Sequence, residues 1–82
     1  MTNEAIRAQA LEILLTIAPE LEPETLRPDR PLRQQVELDS VDWLNFVIAL
    51  HKAFAVDIPE TDYRQLTTLD AIVAYLAARV AR

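Results

Sequence analysis

The stretch Val36–Phe46, VELDSVDWLNF, decides how the rest of the chain is read. Asp39 is suited to cap a helix, and Asp42, three residues on, makes a capping-box-like pair with it. Apolar residues then recur at helical spacing, which predicts a helix over Ser40–Phe54. Leu44, Val47, Leu50 and Phe54 are expected to form its inner stripe, with Phe46 and Trp43 beside it. With Asp39 as the cap, Ser40 takes the first helical position and its hydroxyl is free to point outward. A serine at a helix start is ordinarily a cap or solvated surface. This one also sits where the helix dipole and unpaired amides would stabilise an attached phosphate.

Before this stretch, residues 18–38 form a long connection that holds Pro19, Pro23, Pro28 and Pro31. Leu21, Leu26, Leu32, Val36 and Leu38 should pin it to the core, with a short helical turn near Pro23–Leu26. It is expected to be an ordered crossover, because it lacks the Gly and Ser of a flexible linker. The first helix should be capped by Asn3 and stopped at about Ala18 by Pro19. Ile6, Ala10, Ile13, Leu14 and Ile17 mark its buried face, widened by Leu11 and Leu15.

After the central helix, AVDIP (55–59) breaks the pattern, and Pro59 is placed to open a short helix over Glu60–Arg64. The last helix should start at Thr67, with Asp70 three residues later. Its buried face is expected to be Leu69, Ile72, Val73, Leu76 and Val80, with Arg79 and Arg82 at its negative end. The expected fold is all-α: three main helices, one short third helix and a long first loop, in a single domain over residues 1–82.

Composition narrows the function. Apolar residues make up 51% of the 82, enough for one small core. With no cysteine, neither a disulfide nor a thiolate zinc cluster holds the fold, and no metal site is expected. Thirteen acidic residues against eight basic ones give a net charge of −5, which disfavours nucleic acid and favours partners with basic surfaces. No apolar run approaches the roughly 20 residues of a membrane span. The acidic N-terminal stretch does not resemble a signal peptide, so a cytoplasmic protein is expected.

Together these features make the chain recognisable. LDSV (38–41) opens the central helix, FAVDIPETD (54–62) leads into the short helix, and LTTLDAIVAYL (66–76) forms the last. In these it resembles the acyl carrier protein family over nearly its whole length. The resemblance implies a four-helix bundle in which Ser40 receives 4′-phosphopantetheine from coenzyme A, with Asp39 as helix cap and as part of what the phosphopantetheinyl transferase recognises. The arm would supply the thiol that the chain lacks and hold acyl groups as thioesters. Further implied partners are acyl-loading and acyl-transferring enzymes, and a monomer is expected.

Two departures from the family pattern matter. Glycines often found just before the serine and after the central helix are replaced by Glu37, Leu38 and Ala55. A left-handed Ala55 would cost about 1–2 kcal/mol, so a different turn is expected there. The family often shows several carboxylates on the outer face of the central helix. Here that face is Val41, Asp42, Asn45, Ile48, His51 and Lys52, with Asp42 its only acid. These residues are the expected partner surface. Their character points either to neutral drift or to partners outside housekeeping fatty-acid synthesis.

The ELDSV approach differs from the glycine-rich one of peptidyl carrier domains and suggests a freestanding acyl-type carrier. A D-alanyl or peptidyl-type carrier and an unmodified helical adaptor are the alternatives. An enzyme is not expected, since one histidine and no cysteine assemble no nucleophile–base set. His51 is expected to be a surface residue, and Trp43 and Phe46 either core or the lining of an acyl crevice.

Overall fold

The structure is a computed structural model and describes residues 2–80. Four α-helices follow one another: α1 (Asn3–Ile17), α2 (Leu32–Gln35), α3 (Ser40–Phe54) and α4 (Leu69–Val80). Three-ten turns at Pro23–Thr25 and Glu60–Gln65 complete the order. The expected short third helix is thus a three-ten helix of six residues. The one-turn α2 was not expected, and it divides the long connection.

Helix α1 is capped one residue earlier than expected. Thr2 is extended, and its hydroxyl accepts the Ala5 N–H at 3.1 Å, so Asn3 is already helical. Ala18 closes the helix, donating to the Leu14 carbonyl at 2.8 Å ahead of Pro19. Ile6, Ala10 and Leu14 are fully buried, whereas Ile13 and Ile17 lie at the edge.

The crossover is ordered by hydrogen bonds that no apolar pattern announces. The Gln35 amide accepts from the Arg27 N–H at 2.7 Å and donates to the Arg27 and Arg30 carbonyls. The Leu32 N–H donates to the Thr67 carbonyl at 2.8 Å, and the Asp70 N–H to the Pro28 carbonyl at 2.9 Å. Leu32, Val36 and Leu38 then enter the core, while Leu21 and Leu26 reach only its margin.

Helix α3 has the expected bounds, but its inner face is turned. Phe46, Val47, Leu50 and Phe54 are buried; Leu44 is 44% exposed. At about 100° per residue, Phe46, Leu50, Trp43, Phe54 and Val47 share an arc of about 100°, and Leu44 lies about 60° beyond it. Phe46 therefore takes the place assigned to Leu44.

Helix α4 is capped by Thr68 rather than Thr67: the Thr68 hydroxyl accepts the Ala71 N–H at 2.9 Å. Asp70 instead meets Arg7 of α1 at 2.8 Å. Leu69, Ile72, Val73 and Leu76 are buried as expected, and Tyr75 joins them, whereas Val80 is only half-buried. The Tyr75 hydroxyl donates to Asp62 at 2.6 Å, and Arg79 stacks 3.5 Å from the Tyr75 ring centre, tying the three-ten helix to α4. Arg82 lies outside the described residues. Helix α1 packs against both α3 and α4, so the core sits between the three long helices.

Candidate functional site

The start of α3 is built from both sides. Behind it, Leu38 is buried, and its carbonyl accepts the Arg33 Nε–H at 3.3 Å. Asp39 is extended, at φ −78° and ψ −179°, and its carboxylate accepts the Asp42 N–H at 2.8 Å. The Asp39 carbonyl takes the Trp43 N–H at 2.9 Å. The cap is therefore Asp39, as expected, while Asp42 contributes its backbone amide and its position in the first turn.

Ser40 is the first residue of α3 and is exposed. Its hydroxyl takes no part in the cap. A phosphate ester on that oxygen would project into solvent without displacing a core side chain. It would lie at the positive end of a 15-residue helix, among amides without intrahelical partners. The carboxylates of Glu37, Asp39 and Asp42, which line a hollow with Arg33, oppose this attraction. Exposure and helix polarity fit a phosphodiester; the acidic rim suits recognition by a basic protein.

The outer face of α3 carries the expected partner residues in one strip. Val41, Asn45, Ile48, His51 and Lys52 are exposed and Asp42 is half-exposed. Leu44, expected on the inner stripe because of its spacing from Val47, is exposed beside them. Val41, Leu44 and Ile48 form an exposed apolar row. His51 has a structural tie as well: its Nδ1 lies 2.7 Å from the Val56 carbonyl, and its own carbonyl accepts the Ala55 N–H. Phe46 is core, with its ring 5.7 Å from that of Trp43, which is only half-buried.

The family described as phosphopantetheine attachment site matches residues 8–76, most of the chain. The chain belongs to the acyl carrier protein family. An acyl carrier protein of Helicobacter hepaticus is 30% identical over 77 residues, covering 94% of this chain and 95% of that one. One of Syntrophobacter fumaroxidans is 32% identical over 74 residues, covering 88% and 91%. The solution structure of an acyl carrier protein candidate from Anaplasma phagocytophilum superposes with a TM-score of 0.83 at 28% identity, covering 95% of this chain and 91% of that one. The protein is thus an acyl carrier with a 4′-phosphopantetheine prosthetic group, a carrier rather than a catalyst. It works with a phosphopantetheinyl transferase and with biosynthetic enzymes. No helix among the described residues is long and apolar enough to cross a membrane.

Proposed function

We propose that Ser40 carries the phosphopantetheine arm and that this carrier serves a dedicated biosynthetic pathway rather than housekeeping fatty-acid synthesis. The observation that carries the first part is simple: Ser40 is the only serine in the chain, and it is exposed at the first position of α3. In the loading step the Ser40 Oγ forms a bond to phosphorus as the pyrophosphate link of coenzyme A breaks. Adenosine 3′,5′-bisphosphate leaves, and the hydroxyl proton passes to a base on the transferase. When attached, the arm supplies a thiol that holds an acyl group as a thioester. The chain holds that arm outside the core, with Asp39 fixing the backbone beneath it and Asp42 half-exposed beside it.

The second part is supported by the outer face of α3. Carboxylates there are reduced to Asp42, while Val41, Leu44 and Ile48 offer apolar contact and Lys52 a positive charge. A partner that fits this strip needs an apolar docking surface more than a broad basic one. Action in the cytoplasm, with soluble partner enzymes, is part of the same proposal.

The test is mass measurement after incubation with coenzyme A, magnesium and a promiscuous transferase. Wild type is expected to gain one phosphopantetheine and Ser40→Ala none. Modification of Ser40→Ala, or a wild type that several transferases leave untouched, would overturn the assignment.

A further inference from the structure

A groove of about 380 Å³ opens beside Trp43, lined by Pro31, Arg33, Trp43, Tyr63, Arg64 and Thr67. Trp43 follows Ser40 by three residues, so the two lie on neighbouring positions of one helix side, about 4.5 Å apart along the axis. The groove is therefore within easy reach of anything tethered to Ser40. Resting on the assignment of the arm to Ser40, we propose that this groove receives the end of the loaded arm and favours a short acyl group ending in a carboxylate.

Three observations support this. The walls are flat and apolar, formed by the Trp43 and Tyr63 rings and Pro31, and suit the methylenes of an acyl chain. Arg33 and Arg64 also line the groove, and neither is in an ion pair among the described residues. A guanidinium presents its N–H groups in a fork that matches a carboxylate. Finally, the size of the groove suits a short chain. A groove of this volume is at the small end of ligand sites, which span about 300–1,000 Å³.

Charge also sets the direction. On its other side Arg33 borders the hollow with Glu37, Leu38, Asp39 and Asp42. An anionic acyl end is repelled by the three carboxylates there and drawn to the arginine side. An uncharged acyl end of the same length feels neither force.

The experiment loads the protein from glutaryl-coenzyme A and, separately, from hexanoyl-coenzyme A, whose acyl groups are alike in length and differ in terminal charge. Mass measurement first shows one arm on each, which tests the attachment itself. Trp43, the only tryptophan, then reports cover of the groove through quenching by neutral acrylamide. At low salt the glutaryl form should be quenched about twofold less than the hexanoyl form, as expected for exposed guanidinium–carboxylate pairs. Added salt should close the gap. So should Arg64→Gln, which changes an exposed side chain; its melting temperature shows that it remains folded. Equal quenching of the two wild-type forms, better cover by hexanoyl, or a gap that survives Arg64→Gln would overturn the proposal. Failure of both forms to gain mass would instead overturn the assignment of Ser40.

Discussion

At Ala55 the backbone enters the left-handed region, at φ 53° and ψ 41°. The expected different turn is not what the chain makes. The reason lies in what surrounds the residue: its N–H and that of Val56 both reach the His51 carbonyl, the His51 ring holds the Val56 carbonyl, and Val56 is buried. These contacts offset a left-handed cost of about 1–2 kcal/mol for a residue with a Cβ. Ala55→Gly should relieve that strain and, after the greater entropy of unfolded glycine is subtracted, stabilise the protein by about 0.5–1 kcal/mol. Denaturant unfolding checks this; a destabilised variant would show that the turn is not strained. Ser40 presents the opposite case. As an exposed residue outside the cap, it should tolerate alanine with a stability change within about 0.5 kcal/mol. A larger loss would reveal a structural role for its hydroxyl.

Among the elements, α3 presents two leucines that similar spacing could not tell apart. Leu50→Ala should cost about 2–5 kcal/mol, because Leu50 is fully buried. Leu44→Ala on the same helix should cost less than about 1 kcal/mol and act instead on partner affinity. Equal losses in urea unfolding would place Leu44 back in the core. On α4, burial first and then the hydrogen bond to Asp62 push the Tyr75 phenol above the usual tyrosine range. The folded chain therefore holds this proton more tightly than the unfolded one. Its contribution is complete below the unfolded pKa of about 10 and is lost as pH rises through the higher folded value. Tyr75→Phe should cost about 0.5–1.5 kcal/mol at neutral pH. It should also show a shallower fall of melting temperature above about pH 10 than wild type. Parallel curves would mean that neither burial nor the bond to Asp62 raises the Tyr75 pKa in the folded chain.

For the whole molecule, the proposed choice of partners rests on charge. The net charge is −5, yet the strip beyond Ser40 ends at His51 and Lys52. Enzymes with broad basic docking patches should meet little attraction along α3 and repulsion at Lys52. His51→Glu would be a poor probe, since it also removes the tie to Val56. Asn45→Glu combined with Lys52→Glu leaves that tie intact. The loaded double variant should be a better substrate than wild type for such an enzyme, by about threefold at low salt. The gain should shrink as salt is added. Acyl-transfer rates across ionic strengths measure it. No gain at low salt would mean that the altered face does not govern partner choice.

The sequence alone determined what local chemistry can settle. Asp39 with its amide three residues on, the bounds of Ser40–Phe54, the stop before Pro19 and the three-helix apolar periodicity all depend on neighbours within a turn or two. So did the exposed serine. What it left open depends on residues far apart in the chain. Which side of α3 faces inward was decided by packing against α1 and by the volume of Phe46, because Leu44 lies only about 60° beyond the buried arc. Gln35 stitching the proline-rich connection, Thr67 giving its carbonyl to Leu32 while Thr68 caps α4, and Tyr75 turning inward to reach Asp62 are all matters of hydrogen-bond partners. Only the folded chain brings those partners together. The groove between Trp43 and Arg64 belongs to the same class: three separate segments line it, and no single stretch of sequence contains it.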